Sequence, residues 1–315
     1  MHVLITGANG FVGQALARRI ITDGVVAGRR FDRLTLLDLE FPAPVADLRV
    51  RQLQGSIADR GMLAKAFEQG PIDLVFHLAS IPGGMAERDF DLGRQINLDA
   101  TQWLLDLLRQ QENIPRLVFA STIAVYGAPM PSMVIDDTPM RPCLSYAAQK
   151  LMGEILIEDY SRRGWIDGVS LRLPGIVARP PEPSGLLSAF MSDVFWKLKA
   201  GEPFECPVSA QAVAWWMSVG RCVDNMVHAA ELSADVLKPR RNMALPVLRL
   251  TMAEVIDGLC LRFGEDRRAL VSYRPDAQLE AVFGSFPPLQ ARAAEQLGFR
   301  HDGDVEGLIE KAMMT

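Results

Sequence analysis

Cysteine is scarce in this chain. The four, Cys143, Cys206, Cys222 and Cys260, stand far apart, with no C-x-x-C pair and no histidine partner pattern. That spacing argues against a disulfide framework or a zinc site and for reduced, buried thiols; no metal is expected. A basic excess is missing too. Lys+Arg number 33 against 38 Asp+Glu, a net charge of −5, so nothing advertises a nucleic acid or an anionic membrane as partner. An acidic small molecule stays compatible, because a few arginines can cluster locally. No stretch reaches the ~20 apolar residues of a membrane span. The start, Met1-His2-Val3-Leu4, lacks a basic segment followed by a long apolar one, and a cytoplasmic location is expected. Internal repeats and low-complexity tracts are absent as well. What is present is ordinary globular material: 315 residues, 49% apolar and 23% charged, enough for one large domain or two ordinary ones.

The first half alternates strand-like and helix-like segments. His2–Thr6 reads as a strand, and Phe11, Val12, Ala15, Leu16, Arg19 and Ile20 recur at helical spacing. Arg33–Leu37, Val50–Gly55, Leu74–Leu78, Leu117–Ala120 and Val169–Leu173 read as further strands. Gly61–Gln69, Asp91–Gln111 and Tyr146–Arg163 read as helices between them. Repeated β-α-β units predict an α/β fold with a doubly wound parallel sheet over residues 1–173. Prolines then cluster at 174, 180, 181 and 183. Helical segments follow at Leu186–Ala200, Arg221–Ala234, Met252–Phe263 and Val305–Met313, with Thr251 and Glu254 forming a capping box. Residues 174–315 are expected to form mainly a smaller mixed α/β lobe for substrate, with some segments returning to the first domain.

Four patterns carry chemistry. Thr6-Gly7-Ala8-Asn9-Gly10-Phe11-Val12-Gly13 joins the first strand to the first helix. Gly7 permits the sharp turn, Gly10 lets backbone approach a pyrophosphate, and Gly13 lets the helix pack on the sheet, as in a Rossmann dinucleotide site. Asp38 ends the next strand, where a carboxylate accepts from ribose hydroxyls and repels a 2′-phosphate, favouring NAD over NADP. Its distance from the glycines exceeds the usual ~20 residues, which an insertion around Thr22–Phe31 would explain; Arg29 and Arg30 there are expected as surface charge. Tyr146 and Lys150 are four apart and share a helix face. A cation about 4 Å from the phenol is worth up to about 4 kcal/mol at an effective dielectric of 20, roughly 3 in pKa, so Lys150 could poise Tyr146 for proton abstraction. Finally, Phe119-Ala120-Ser121-Thr122 is a strand ending in hydroxyl residues, at the sheet edge where ligands bind.

The ordered set Thr6-Gly7-x-x-Gly10-x-x-Gly13, Asp38, His77-Leu78-Ala79-Ser80, Asn97, Ser121-Thr122, Tyr146-x-x-x-Lys150 and Leu171-Arg172-Leu173-Pro174-Gly175-Ile176 resembles the extended short-chain dehydrogenase/reductase family, also described as the NAD-dependent epimerase/dehydratase family. The resemblance implies bound NAD and a centre in which Tyr146 is the acid/base, Lys150 also binds the nicotinamide ribose and Thr122 orients the substrate hydroxyl. It places Gly7, Asn9, Gly10, Phe11, Val12, Gly13, Asp38, Ser56, Ile57, Leu78, Ala79, Ser80, Asn97, Ser121, Tyr146, Lys150, Pro174 and Ile176 around the cofactor. Ser56 stands where the family often has a carboxylate toward adenine, with backbone bonds from Ile57 still available. Asn97 resembles a structural asparagine beside the site.

The stretch Pro174–Pro181 through Ser184-Gly185, with Ser188–Ser192, Ala214–Ser218 and Arg221–Asn225, is similar to a branch that oxidises D-erythronate. The implied reaction is oxidation of a small polyhydroxy acid at its 2-hydroxyl to the 2-oxo acid. Ser80, Thr122 and Tyr146 would meet the substrate, and Arg179 is favoured over Arg172 and Arg221 to hold its carboxylate. The loop Ser80–Ala86 differs from the Ser-Gly pair common in that branch. A sugar-nucleotide epimerase or dehydratase, with no net turnover of NAD, is the alternative; a non-catalytic NAD sensor has no need of a base. His77, ending a buried strand, reads as structural. Trp215 and Trp216 could line a small pocket, at least one packing in the core. Relatives pair through the two long helices, so a homodimer is implied.

Overall fold

The computed structural model describes residues 1–181 and 186–313, so Pro183 and Ser184-Gly185 of the sequence reading lie outside the described residues. The chain divides into two compact units. Met1–Gly127, Met140–Arg172 and Val223–Ala244 form the first; Ala128–Pro139, Leu173–Cys222 and Leu245–Thr315 form the second.

The first unit is built on seven strands: β1 (His2–Thr6), β2 (Arg33–Asp38), β3 (Val50–Gln54), β4 (Leu74–His77), β5 (Arg116–Thr122), β6 (Asp167–Leu173) and β7 (Asn242–Ala244). Their order across the sheet is β3-β2-β1-β4-β5-β6-β7, the Rossmann arrangement, with the strand order reversing at β1. β1 runs parallel to β2 and to β4, Thr6 lying opposite Leu37 on one side and His77 on the other. β1 and β4 are buried along their whole length, which their near-continuous apolar sequences require of strands covered on both faces. Leu4, Leu37, Val75, Leu104, Leu117, Phe119 and Ile157 form one core against the helices.

Two helical readings are adjusted. α1 (Phe11–Asp23) is followed by a hairpin of Val25–Val26 and Arg29–Arg30, which supplies the expected insertion and leaves both arginines exposed. α2 spans only Arg60–Lys65, because Asp59 caps it by accepting from Gly61 and Met62 N–H and the chain then breaks into turns before Gly70. α3 (Gly83–Arg88) comes first, and the helix expected over Asp91–Gln111 runs unbroken from Phe90 to Leu108 as α4 (Phe90–Arg94), a π-turn at Gln95–Asp99 and α5 (Ala100–Leu108). Asp89 accepts from Leu92 N–H and starts α4 afresh, and the wider turn carries buried Asn97. α6 (Ser145–Arg162) is continuous.

In the second unit, Gly175–Val177 pairs parallel with Val213–Ser218, which pairs antiparallel with Leu248–Thr251. Val177, Phe195, Trp216, Val255, Leu259 and Leu308 are among its core. The helix expected from Leu186 begins at Phe190, and Met252–Phe263 opens on the Thr251/Glu254 capping box, made in both directions. Trp215 and Trp216 are both wholly buried, their indole N–H groups donating to Pro287 O and Leu250 O, so both pack in the core.

Candidate active site

At the end of β1 the chain must turn sharply into α1. Gly7 does so at φ +70°, and a Cβ there would sit 2.6 Å from Ala79 N. A Cβ on Gly13 would fall 2.1 Å from Gly7 O, so helix and turn touch backbone to backbone. Gly10 meets only Gly7 O, at 3.3 Å, leaving its other side open. α1 starts with Gly10 as N-cap and, among the described residues, has neither a side-chain cap nor an acidic residue in its first turn. The positive end of such a helix favours an anion. Asp38 completes this edge: one carboxylate oxygen accepts from Asn9 N–H and the other from Leu39 N–H, each at 2.7 Å. Each oxygen keeps a lone pair for a hydroxyl donor. Ser56 is turned inward on its own loop, its hydroxyl accepting from Ala58 N–H at 3.1 Å, while the Ile57 side chain enters the core.

The segment after β4 is held by a directed chain of hydrogen bonds. Thr101 donates its hydroxyl to Asn97 O at 3.0 Å, so it can only accept from His77 Nε2, 2.9 Å away. His77 therefore carries its proton on Nε2, and Nδ1 accepts from the Thr6 hydroxyl at 2.6 Å. Thr6 in turn accepts from Ala79 N–H at 3.3 Å. Burial, with the Lys150 charge second, pushes the His77 pKa down to about 3, consistent with this fixed neutral tautomer and the structural role expected for it. Asn97 grips Ile81 twice, accepting from its N–H at 2.9 Å and donating to its C=O at 3.3 Å. Ser80 is thus held between two anchored neighbours.

Tyr146 and Lys150 occupy one face of α6, beside the end of β5. Lys150 is 1% exposed and donates from Nζ to Ala120 O at 3.0 Å. Burial lowers its pKa to about 7. Tyr146 keeps part of its surface open, yet its phenol is ringed by protein atoms. Burial raises its pKa above 10, and the Thr122 and Ser80 hydroxyls bonded to it pull the other way. Nζ donates to Ala120 O and lies 5.9 Å from the centre of the Tyr146 ring. Thr122 is buried and its oxygen accepts from Ala124 N–H at 3.1 Å.

Two further residues are placed by their partners. The Ser121 hydroxyl donates to Glu154, which leaves its oxygen lone pairs for a donor. Arg172 is internal: it forks onto Glu154 through Nε at 3.0 Å and Nη2 at 2.7 Å, so it is not the arginine for a substrate. In the second unit, Pro174 is buried, Ile176 lies opposite Met217 in its sheet, and Arg179 is half-buried with its carbonyl accepting from Trp196 Nε1 at 2.7 Å. Sequence reasoning passed over Glu154 and Tyr126. The available signal was a carboxylate one turn beyond Lys150, on a helix face that must be buried.

Residues 3–242 match the model of the NAD-dependent epimerase/dehydratase family. The chain is 39% identical to a D-erythronate dehydrogenase of Cupriavidus necator, across 99% of this chain and 98% of that one. It is 33% identical to a D-erythronate dehydrogenase of Haemophilus influenzae, over 99% and 98%. Among solved structures, a nucleoside-diphosphate-sugar epimerase of Agrobacterium tumefaciens superposes with a TM-score of 0.91 at 35% identity, covering 98% of this chain and 92% of that one. With the glycine turn, the strand-end aspartate and the Tyr146–Lys150 face all on one Rossmann sheet, the chain belongs to the NAD-dependent epimerase/dehydratase family.

Proposed function

We propose that this protein oxidises a small polyhydroxy acid such as D-erythronate at its 2-hydroxyl, giving the 2-oxo acid, with NAD as oxidant. The observation that carries the reading is the convergence on the Tyr146 phenol of Thr122, Ser80 and the Lys150 face. The two relatives named for D-erythronate supply the substrate class.

The residues present fit the cofactor. A side chain at Gly7 or Gly13 would collide with backbone, while Gly10 is open and the α1 terminus favours an anion. Gly7, Asn9, Gly10, Phe11, Val12 and Gly13 would cradle the pyrophosphate, and Asp38 the adenosine ribose. Ser56 and Ile57 would flank adenine. Leu78, Ala79, Ser80, Tyr146, Lys150, Pro174 and Ile176 would border the nicotinamide end, with Asn97 acting through Ile81. NAD, when bound, supplies the acceptor for the hydride from the substrate's 2-carbon. Tyr146 takes the hydroxyl proton, and Thr122 and Ser80 donate to the phenolate that stays deprotonated at neutral pH only with such help. A charged Lys150 would stabilise that phenolate before it takes the proton. Arg179 would hold the carboxylate, fixing which carbon faces the cofactor.

Tyr146→Phe is expected to bind NAD normally and lose turnover by about 10²–10⁴-fold; wild-type turnover would refute the base. Net NADH formation with sugar acids, sought across a panel, tests the reaction itself. A nucleotide sugar converted with no net NADH would favour the epimerase reading, to which the Agrobacterium structure's name points. We also place the enzyme in the cytoplasm, since Cys143, Cys206, Cys222 and Cys260 are thiols rather than disulfides. Among the described residues no helix is long and apolar enough to cross a membrane. Exposed Phe90 on α4 and Met152 and Ile155 on α6 would pair two copies, which light scattering of the eluted protein would register as twice the chain mass.

A further inference from the structure

Three residues spaced one turn apart on α6 each meet one residue at the end of β5. Tyr146 meets the Thr122 hydroxyl, Lys150 the Ala120 carbonyl and Glu154 the Ser121 hydroxyl. The third rung is anchored from the neighbouring strand. Arg172, 3% exposed, contacts Glu154, 1% exposed, through Nε at 3.0 and 3.2 Å and Nη2 at 2.7 Å. Its Nη1 donates to the Tyr126 hydroxyl at 3.2 Å, and Tyr126 closes the single 3₁₀ turn that follows Thr122. The cluster therefore grips the helix at Glu154, the strand at Ser121 and the turn at Tyr126.

A buried ion pair is by itself a weak source of stability, since an apolar pair of like volume does as well. A planar guanidinium forked on a carboxylate is, however, a stiff link with a defined orientation. Proton transfer needs such stiffness, because a displacement of about 1 Å at a reacting group can lower the rate ~10²-fold.

We infer that Glu154 and Arg172 are positioning residues for the reaction, setting the register of α6 on β5 that brings Tyr146 and Lys150 to Thr122. Neither touches the reacting atoms. The inference rests on Tyr146 being the base. The motif then reads Tyr146-x-x-x-Lys150-x-x-x-Glu154 with Arg172 in trans.

The test is the double variant Glu154→Met/Arg172→Met beside Ser121→Ala, each read for melting temperature, KM for NAD, and kcat and its isotope effect with 2-deuterated D-erythronate. The double variant is expected to melt no lower than the wild type and to keep KM for NAD within about twofold, while kcat falls about 10–100-fold and the isotope effect rises. Ser121→Ala keeps the ion pair and breaks its link to the strand, so kcat falls about 3–10-fold with melting unchanged. A double variant that folds and turns over at the wild-type kcat overturns the inference. Should the double variant fail to fold, Ser121→Ala decides: an unchanged kcat overturns the inference and a lowered one supports it. Tyr146→Phe run alongside separates the two readings, because turnover surviving in that variant overturns the base, whereas a dead Tyr146→Phe beside a normal double variant overturns only the positioning.

Discussion

Replacing Lys150 with methionine should make the protein more stable at neutral pH, by an amount that disappears on the alkaline side. The amine is buried, and burial lowers its pKa from 10.5 to about 7. In the unfolded chain it titrates near its ordinary value. Between these two pH values the unfolded state holds a proton that the folded state has released, so stability rises with pH across that window. The slope is up to ~1.4 kcal/mol per pH unit, and the whole span amounts to about 5 kcal/mol. Below pH 7 both states are protonated and the folded state bears the full penalty of a buried ammonium; above 10.5 both are neutral and the penalty is gone. Other groups titrate as well. His77, lowered to about 3, acts below its ordinary 6.5 and is silent here. Burial raises the Cys206, Cys222 and Cys260 thiols and the Tyr146 phenol, so these work in the opposite sense at the alkaline end. Comparison with Lys150→Met cancels the thiols, and carrying Tyr146→Phe in both backgrounds removes the coupled phenol. Urea unfolding followed by tryptophan fluorescence should show the variant ahead by several kcal/mol near pH 7, with the gap narrowing steadily toward pH 10. A gap that does not change with pH would refute the assignment of a depressed amine.

Gly13→Ala places a methyl 2.1 Å from Gly7 O, so the turn must open; overpacking of this kind costs about 1–3 kcal/mol, and calorimetry should show both a lower melting point and weakened NAD binding. Asp38→Ala removes the anchor of Asn9 N–H along with the carboxylate that repels a 2′-phosphate; the ratio of kcat/KM for NAD over NADP should drop about 10–100-fold, and an unchanged ratio would count against Asp38. Arg179→Ala should raise the sugar-acid KM about 10–100-fold with NAD affinity intact, and a silent variant would turn attention to Arg221.

The glycine turn, the strand-end aspartate and the Tyr146–Lys150 face were legible because each is set by local geometry. A strand-to-helix turn needs glycine where backbone meets backbone, and two residues four apart on a helix must share a face. The sheet was legible for a similar reason, as buried parallel strands are short apolar runs. The revisions fall where a contact distant in sequence decides. Apolar periodicity runs straight through Asp91–Gln111 and carries no mark of a π-turn, whose residue Asn97 is fixed by Ile81, sixteen positions earlier. Arg172 read equally as a substrate ligand or an internal ion pair, because its partner, Glu154, lies on another element, eighteen positions before it. Lys150 was assumed free to approach the phenol, and only the fold reveals the competing carbonyl of Ala120.

That competition bears on how the pair ionises. Burial opposes charge on Tyr146 and on Lys150 taken singly, moving the phenol up and the amine down toward a site in which both are neutral. The penalty is smaller when both ionise together, because a phenolate and an ammonium on one helix face attract each other. Thr122 and Ser80 add donors that favour the phenolate alone. Proton removal from Tyr146 is thus coupled to proton retention on Lys150, and the macroscopic pKa values belong to the pair. The carbonyl of Ala120 has a definite part in this: it accepts from the amine without bringing the countercharge that a carboxylate would. Glu154, the nearest carboxylate along the same helix face, could have done so, but its two oxygens are occupied by Ser121 and Arg172. The charge on the amine therefore acts on two titratable neighbours, the phenol and His77.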